Sequence, residues 1–150
     1  MLRKVLGVLL AVASIYLSGC ASVPMASNDD DALRKQFSTP PENTSGLYIY
    51  RNSTLGGALK KTITVDGQVI GESAPKTYFY LDLKPGTHTL ATESEFSDNM
   101  FTLDTEGGKN YFVRQYMKLG VFVGGANFET VTDEVGKKGV MECKLAKSFE

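Results

Sequence analysis

The sequence predicts a mainly β fold, either an antiparallel β-sandwich or a compact barrel of about seven or eight short strands. Two observations carry this prediction. From Gly46 onward, side chains alternate with a period of two, as they do along strands whose two faces have different surroundings. Turn residues interrupt these alternating runs at intervals of about eight to twelve residues, a spacing that is typical of all-β domains.

Turn residues mark the borders of the predicted strands. Asp66 and Gly67 predict a type I′ hairpin, because both central residues of that turn adopt positive φ. Pro85 and Gly86 predict a second turn, since proline presets one turn residue and glycine tolerates positive φ at the next. The predicted strands are residues 47–51, 61–65, 68–71, 77–83, 87–92, 100–104, 110–118 and 128–132.

Residues 119–125 form the most apolar stretch of the chain after its N-terminal segment, and glycines lie within it and at its end. We predict a buried strand or a bent hairpin wall at this place. The alternative is a loop that dips into a membrane or lines a pocket.

The C-terminal segment allows two interpretations. Met141, Leu145 and Phe149 recur at a spacing of four, which favours a short helix from about residue 134 to residue 147. Residues 141–145 also alternate as a strand would. On either interpretation Cys143 lies inside an element and is expected to behave as a small buried side chain.

The N-terminal residues have the pattern of a secretion signal. Arg3 and Lys4 supply positive charge, and the apolar run that follows is too short to span a bilayer. Leu17, Ser18, Gly19 and Cys20 resemble a lipobox. This resemblance implies cleavage between Gly19 and Cys20 and attachment of diacylglycerol to the Cys20 thiol. Ala21 and Ser22 stand where lipoproteins retained in the inner membrane usually carry Asp, so we expect a lipid anchor in the periplasmic leaflet of the outer membrane.

The chain divides into three predicted parts. Residues 1–19 are the signal peptide, residues 20–45 are a lipidated flexible tether and residues 46–150 are the β-sandwich domain. The tether is largely small, polar or proline, with an acidic triplet at residues 29–31, and therefore has little apolar surface to offset the entropy cost of ordering. Phe37 is its best candidate for docking onto the domain.

Composition excludes several classes of function. The chain carries 16 Lys and Arg against 17 Asp and Glu, without the concentrated positive charge that nucleic-acid binding requires. His88 is the sole histidine, which excludes a multi-histidine metal site. With Cys20 lipidated, Cys143 has no partner for an intramolecular disulfide. We predict no cofactor and no metal.

The search for catalytic residues yields an alternative class rather than a motif. Phosphate-binding, dinucleotide-binding and nucleophile-elbow patterns are absent. An accessory cell-wall hydrolase could use carboxylates on the predicted strands or a dyad of Cys143 and His88. The candidate carboxylates are Asp82, Glu93 and Glu95. We predict a protein that is not an enzyme, with no catalytic residues.

Four tyrosines form the candidate interaction face. Tyr48 and Tyr50 alternate with Leu47 and Ile49, and Tyr78 and Tyr80 alternate with Phe79, Leu81 and Leu83 on a second strand. If the aliphatic residues take the core, the tyrosines line an outer surface suited to stacking on a glycan or packing on an envelope protein. The alternative is that these rings form cross-strand pairs or a second layer of the core.

Two resemblances to known families follow from these motifs. The segment from Ile63 to Leu90, with its Asp-Gly hairpin and its Pro-Gly-Thr-His turn, looks like a PEGA-type β-sandwich module. Lipobox, tether and the Tyr-Ile-Tyr-Arg run at residues 48–51 together resemble small Gram-negative lipoproteins known only as a domain of unknown function. This resemblance implies a non-enzymatic envelope lipoprotein with no catalytic residues to transfer.

Overall fold

The computed structural model describes residues 21–122 and 124–149. Within these residues, nine strands form two sheets and two short helices flank them. The helices are α1 (Asn28–Arg34) and α2 (Asp133–Met141). The strands are β1 (Ser45–Arg51), β2 (Lys61–Val65), β3 (Gln68–Ser73), β4 (Thr77–Leu83), β5 (Gly86–Glu93), β6 (Asp98–Thr105), β7 (Asn110–Lys118), β8 (Gly125–Thr130) and β9 (Lys144–Leu145).

The two sheets form a sandwich, which confirms the predicted fold class, and they do not close into a barrel. The first sheet has the order β8-β7-β1-β4-β9, and the second has the order β3-β2-β5-β6. Pairing is antiparallel except in the first sheet, where β1 pairs with β7 and β4 pairs with β9 in parallel. Parallel strands require a long crossover connection, so no local turn motif in the sequence predicts which strands pair in parallel.

The main core lies between the two sheets. Leu47 and Ile49 of β1 face it from the first sheet, and Ile63 and Leu90 face it from the second, all of them with almost no exposed surface. Period-two alternation therefore sorts the aliphatic side chains into the core as predicted.

A second core covers the outer face of the first sheet. The other members of the alternating runs point to this face, where aromatic rings pack beneath the two helices and the C-terminal segment. Its buried members are Tyr48, Tyr50, Tyr78, Phe112, Val140, Cys143 and Leu145.

The predicted hairpin between β2 and β3 is confirmed in its backbone geometry. Asp66 has φ 51° and Gly67 has φ 80°, the positive values that a type I′ turn requires at both central residues. A Cβ on Gly67 would meet no atom within 4 Å, so the turn needs glycine for its dihedral angle rather than for space.

The prediction of a flexible tether over residues 20–45 is wrong for residues 21–44, the described residues that precede the first strand. Ser27 caps α1 by accepting a hydrogen bond from the Asp30 N–H, and the acidic triplet occupies the first turn, where the helix dipole favours negative charge. Asp31 is buried, accepting hydrogen bonds from the Lys35 ammonium and the Leu145 N–H, both at 2.9 Å. Burial raises the pKa of the Asp31 carboxyl, but these hydrogen bonds outweigh burial and lower it.

Phe37 docks on the domain, as predicted. Its ring centroid lies 5.4 Å from that of Tyr48 and 5.9 Å from that of Phe112. The segment before β1 therefore forms part of the second core. None of the helices in the described residues is long and apolar enough to cross a bilayer.

Both interpretations of the C-terminal segment are right in part. The predicted helix over residues 134–147 forms only as α2, which Thr132 caps, and the alternating residues that follow supply β9. Gly136 and Gly139 let α2 approach the sheet closely, because a Cβ on either would lie 2.2 Å from the ring of Phe112 or Tyr50, respectively.

Candidate functional site

The predicted cleavage and lipid-attachment residues, Gly19 and Cys20, lie outside the described residues, together with residues 1–18. The description begins at Ala21, whose N–H donates a 2.9 Å hydrogen bond to the Gly57 carbonyl in the connection between β1 and β2. The residue that follows Cys20 in the sequence therefore lies against this connection.

Four connections meet at this end of the sandwich. β1 ends opposite the start of β4, and β7 ends opposite the start of β8. In the second sheet, β2 begins opposite the end of β3, and β5 turns into β6. Residues 74–76 join β3 of the second sheet to β4 of the first sheet, so the ends of the two sheets lie side by side here. We call this end, formed by residues 52–60, 74–76, 94–97 and 119–122, the loop end.

Arg51, the last residue of β1, holds the first of these connections. Its side chain is fully buried, and its guanidinium donates to the carbonyls of Leu59, Gly56 and Leu55 at 2.8, 2.9 and 3.1 Å. Burial lowers the pKa of Arg51, because removal from water penalises its charged form. The guanidinium thus supplies hydrogen-bond donors to backbone carbonyls of a connection that belongs to neither sheet.

Large apolar side chains are exposed at the loop end. The prediction that residues 119–125 are a buried strand is wrong, because β7 ends at Lys118 and the apolar residues form the connection to β8. We call the exposed set the apolar tip. Its members and their exposed fractions are Leu55 52%, Phe96 80%, Leu119 89%, Val121 80% and Phe122 84%.

Glu95 fixes the shape of the apolar tip. Its carboxylate accepts hydrogen bonds from the Val121 N–H, at 2.7 Å, and from the Phe122 N–H. Beneath the tip lies a cleft of about 240 Å³, lined by apolar residues that include Leu59 and Met117. The backbone N–H groups of Val121 and Phe122 are thereby paired within the protein rather than with water.

The prediction that the tyrosines line an exposed outer surface is wrong. Tyr48, Tyr50 and Tyr78 are at most 2% exposed, because α1, Phe37 and α2 cover the face that the alternation assigns to them. Tyr48 donates its hydroxyl proton to the Arg34 carbonyl at 2.8 Å, and burial raises the pKa of Tyr48 to about 12. The rings are the second layer of the core.

Tyr80 differs from the other three tyrosines because it remains partly exposed at the rim of the second core. Its hydroxyl donates to Asp82 at 2.7 Å, and the Arg34 guanidinium carbon lies 4.0 Å from its ring centroid. Burial and the bond to Asp82 raise the pKa of Tyr80. This contact joins α1 to β4 and is accounted for by packing.

The candidate carboxylates do not converge. Asp82 accepts from Tyr80, whereas Glu93 accepts from the Thr62 hydroxyl at 2.6 Å and Glu95 binds the apolar tip. Within residues 21–122 and 124–149, no group of His, Cys, Asp and Glu side chains is placed to hold a metal ion.

Cys143 and His88 also lie in different surroundings. Cys143 is buried in the second core, its thiol 3.6 Å from the Arg51 carbonyl, and burial raises the pKa of the thiol to about 12. A thiol with so high a pKa supplies almost no thiolate at neutral pH. His88 lies on β5 of the second sheet, where the Asp66 carboxylate and the Lys84 carbonyl accept from its two ring nitrogens at 2.6 and 2.8 Å.

The contacts of His88 predict a pH dependence of stability. Burial lowers its pKa, but the hydrogen bonds to Asp66 and Lys84 outweigh burial and raise it. The stabilisation is therefore fully present below pH 6.5, the ordinary pKa of histidine, and is lost as the pH rises through the raised pKa of the folded protein. We expect a loss of about 1 kcal/mol across this window, since Asp66 is half exposed.

NMR titration of the single imidazole and thermal melting across this window measure the effect. The variant His88→Ala is the control, and we expect its melting temperature to change less across the same window. A measured pKa at or below 6.5 in the folded protein would contradict the assignment.

The fold and the comparisons together give the family. The chain is a small two-sheet β-sandwich with a helix-covered outer face. Residues 41–126 match the family described as a protein of unknown function, DUF2846, and the chain belongs to this family. It is similar to a protein of Haemophilus influenzae named "Uncharacterized protein", with 53% identity over 135 residues, which is 90% of this chain and 80% of the relative. No solved structure matches the chain.

Proposed function

We propose that the chain is a lipoprotein of the cell envelope, anchored through acylated Cys20 in the periplasmic leaflet of the outer membrane. Its β domain acts there as a non-enzymatic interaction or structural module, with an envelope protein or a glycan as the candidate partner. The PEGA-like character of the segment from Ile63 to Leu90 is part of this proposal. The observation that carries it is the lipobox-like tetrad that ends at Cys20.

The placement of Ala21 supports the proposal. A peptide bond joins Cys20 to Ala21, and consecutive Cα atoms lie about 3.8 Å apart, so an acylated Cys20 would stand close to the loop end. Ala21 itself is held there by its bond to Gly57. The module would then lie directly on the membrane surface instead of at the end of a long spacer.

The hydrolase alternative has no comparable support. The three carboxylates have separate partners, and Cys143 lies between α2 and β9 in the second core whereas His88 lies on β5 of the second sheet. Digestion of peptidoglycan by the purified mature protein would contradict the non-enzymatic part of the proposal. Crosslinking in intact cells followed by mass spectrometry would identify the partner.

The anchor is tested by Cys20→Ala in the full-length chain. We expect complete loss of labelled fatty-acid incorporation and accumulation of unprocessed precursor in the inner membrane. The matched control is Cys143→Ala, which removes the other cysteine and should label and sort as the wild type does. Processed Cys20→Ala protein in the outer-membrane fraction would overturn the proposal.

A further inference from the structure

We propose that the apolar tip inserts into the lipid interface beside the anchored Cys20, so that the domain contacts the membrane in one fixed orientation. The inference rests on the proposed lipid anchor. It begins from the exposure of five large apolar side chains on three separate connections at one end of the sandwich. Soluble surfaces rarely gather such residues without a membrane or a partner to cover them.

The position of Ala21 selects the membrane as the occupant. Its bond to Gly57 places the start of the described chain on the connection that also carries Leu55. Acyl chains attached at the preceding residue enter the bilayer, so the surface within a few ångströms of that residue faces the lipid. The apolar tip is part of that end.

The polar groups of the loop end fit the same orientation. Glu95 pairs the backbone N–H groups of Val121 and Phe122, which would otherwise lose their hydrogen bonds to water in a lipid environment. Lys118 is exposed directly before Leu119, where a long cationic side chain can reach lipid phosphates from the rim of an apolar surface.

The opposite end of the sandwich has a different character. It consists of the turns at residues 66–67, 84–85 and 106–109, which contain four charged side chains and no exposed large apolar side chain. The difference between the two ends indicates that the long axis of the sandwich crosses the membrane interface, with the loop end toward the lipid and the opposite end toward water. The anchor and the tip then contribute together, since burial of acyl chains and burial of apolar side chains add to one membrane affinity.

A single tryptophan tests the insertion directly, because the natural chain contains none. Phe122→Trp is placed in the mature acylated protein, which is reconstituted into vesicles of phosphatidylethanolamine and phosphatidylglycerol. We expect the emission to shift to shorter wavelength relative to the detergent-solubilised protein, and to lose most of its intensity when the lipids carry bromine near the headgroup end of the acyl chains.

The matched control is Val69→Trp, an exposed apolar position on β3 beside the turn at the opposite end. Its emission should be unchanged by vesicles and by brominated lipid. Circular dichroism of both variants checks that each retains the β fold of the wild type.

Three outcomes would overturn the inference. Phe122→Trp emission without quenching in acylated protein excludes insertion and leaves the anchor intact. A shift that grows with protein density and is insensitive to bromine shows that a second copy covers the tip instead. The intact mass of the same sample reports acylation separately, so a sample without acyl mass overturns the anchor and the inference together.

Discussion

Replacing Tyr78 by Ser is expected to lower the free energy of unfolding by about 3–5 kcal/mol, the loss that is usual for truncating a fully buried aromatic ring. Tyr78 has no exposed surface, packs beside Tyr48 at 6.2 Å between ring centroids and donates its hydroxyl to the Asp31 carbonyl. The substitution leaves a cavity beneath α1 and removes that donor. Urea unfolding followed by circular dichroism measures the loss.

Tyr80→Ser is the matched control for this prediction. Tyr80 lies two residues further along β4 and is partly exposed, so its truncation should cost roughly 1 kcal/mol. A loss at Tyr78 as small as the roughly 1 kcal/mol expected at Tyr80 would contradict the burial of Tyr78 and would support the exposed tyrosine face.

Arg51→Met is expected to destabilise the domain by about 3 kcal/mol, because it removes the hydrogen bonds of a buried charged donor, and a hydrogen bond to a charged group contributes about 1.5–3 kcal/mol. A buried ion pair can often be replaced by apolar residues at little cost, since both charges leave together. Arg51 differs because its partners are three backbone carbonyls of residues 55–59, which remain when the guanidinium is removed. Thermal melting and limited proteolysis of residues 52–60 measure the change.

The control for Arg51 is the same substitution at Arg114, which is partly exposed and pairs with Glu129 across β7 and β8. Exposed pairs contribute at most about 1 kcal/mol, so Arg114→Met should melt close to the wild type. If Arg51→Met also melts as the wild type does, the guanidinium does not hold the connection.

Local patterns predicted the local structure well. The Asp-Gly hairpin, the strand alternation and the aliphatic core follow from side-chain periodicity and turn chemistry that neighbouring residues determine. The tyrosine face failed for a definable reason. Alternation states which side chains share a face, whereas exposure depends on what packs over that face, and the covering residues come from segments distant in sequence.

Asp31 shows that local sequence also fails to predict the burial of a single charged side chain. Three consecutive aspartates are typical of solvated sequence, and two of them are exposed in the structure. The third is buried because Lys144 and the Leu145 N–H reach it from the far end of the chain. A composition argument has no access to such a partner, and it therefore assigned residues 20–45 to a flexible tether.

The order of strands in the first sheet also determines when the domain can form. β1 is the central strand, yet its parallel neighbour β7 is made much later, and β9 is supplied by the last residues of the domain. Non-local pairing of this kind slows folding to the millisecond-to-second range. During synthesis the early segment therefore has no complete sheet to join until the C-terminal third of the chain has emerged.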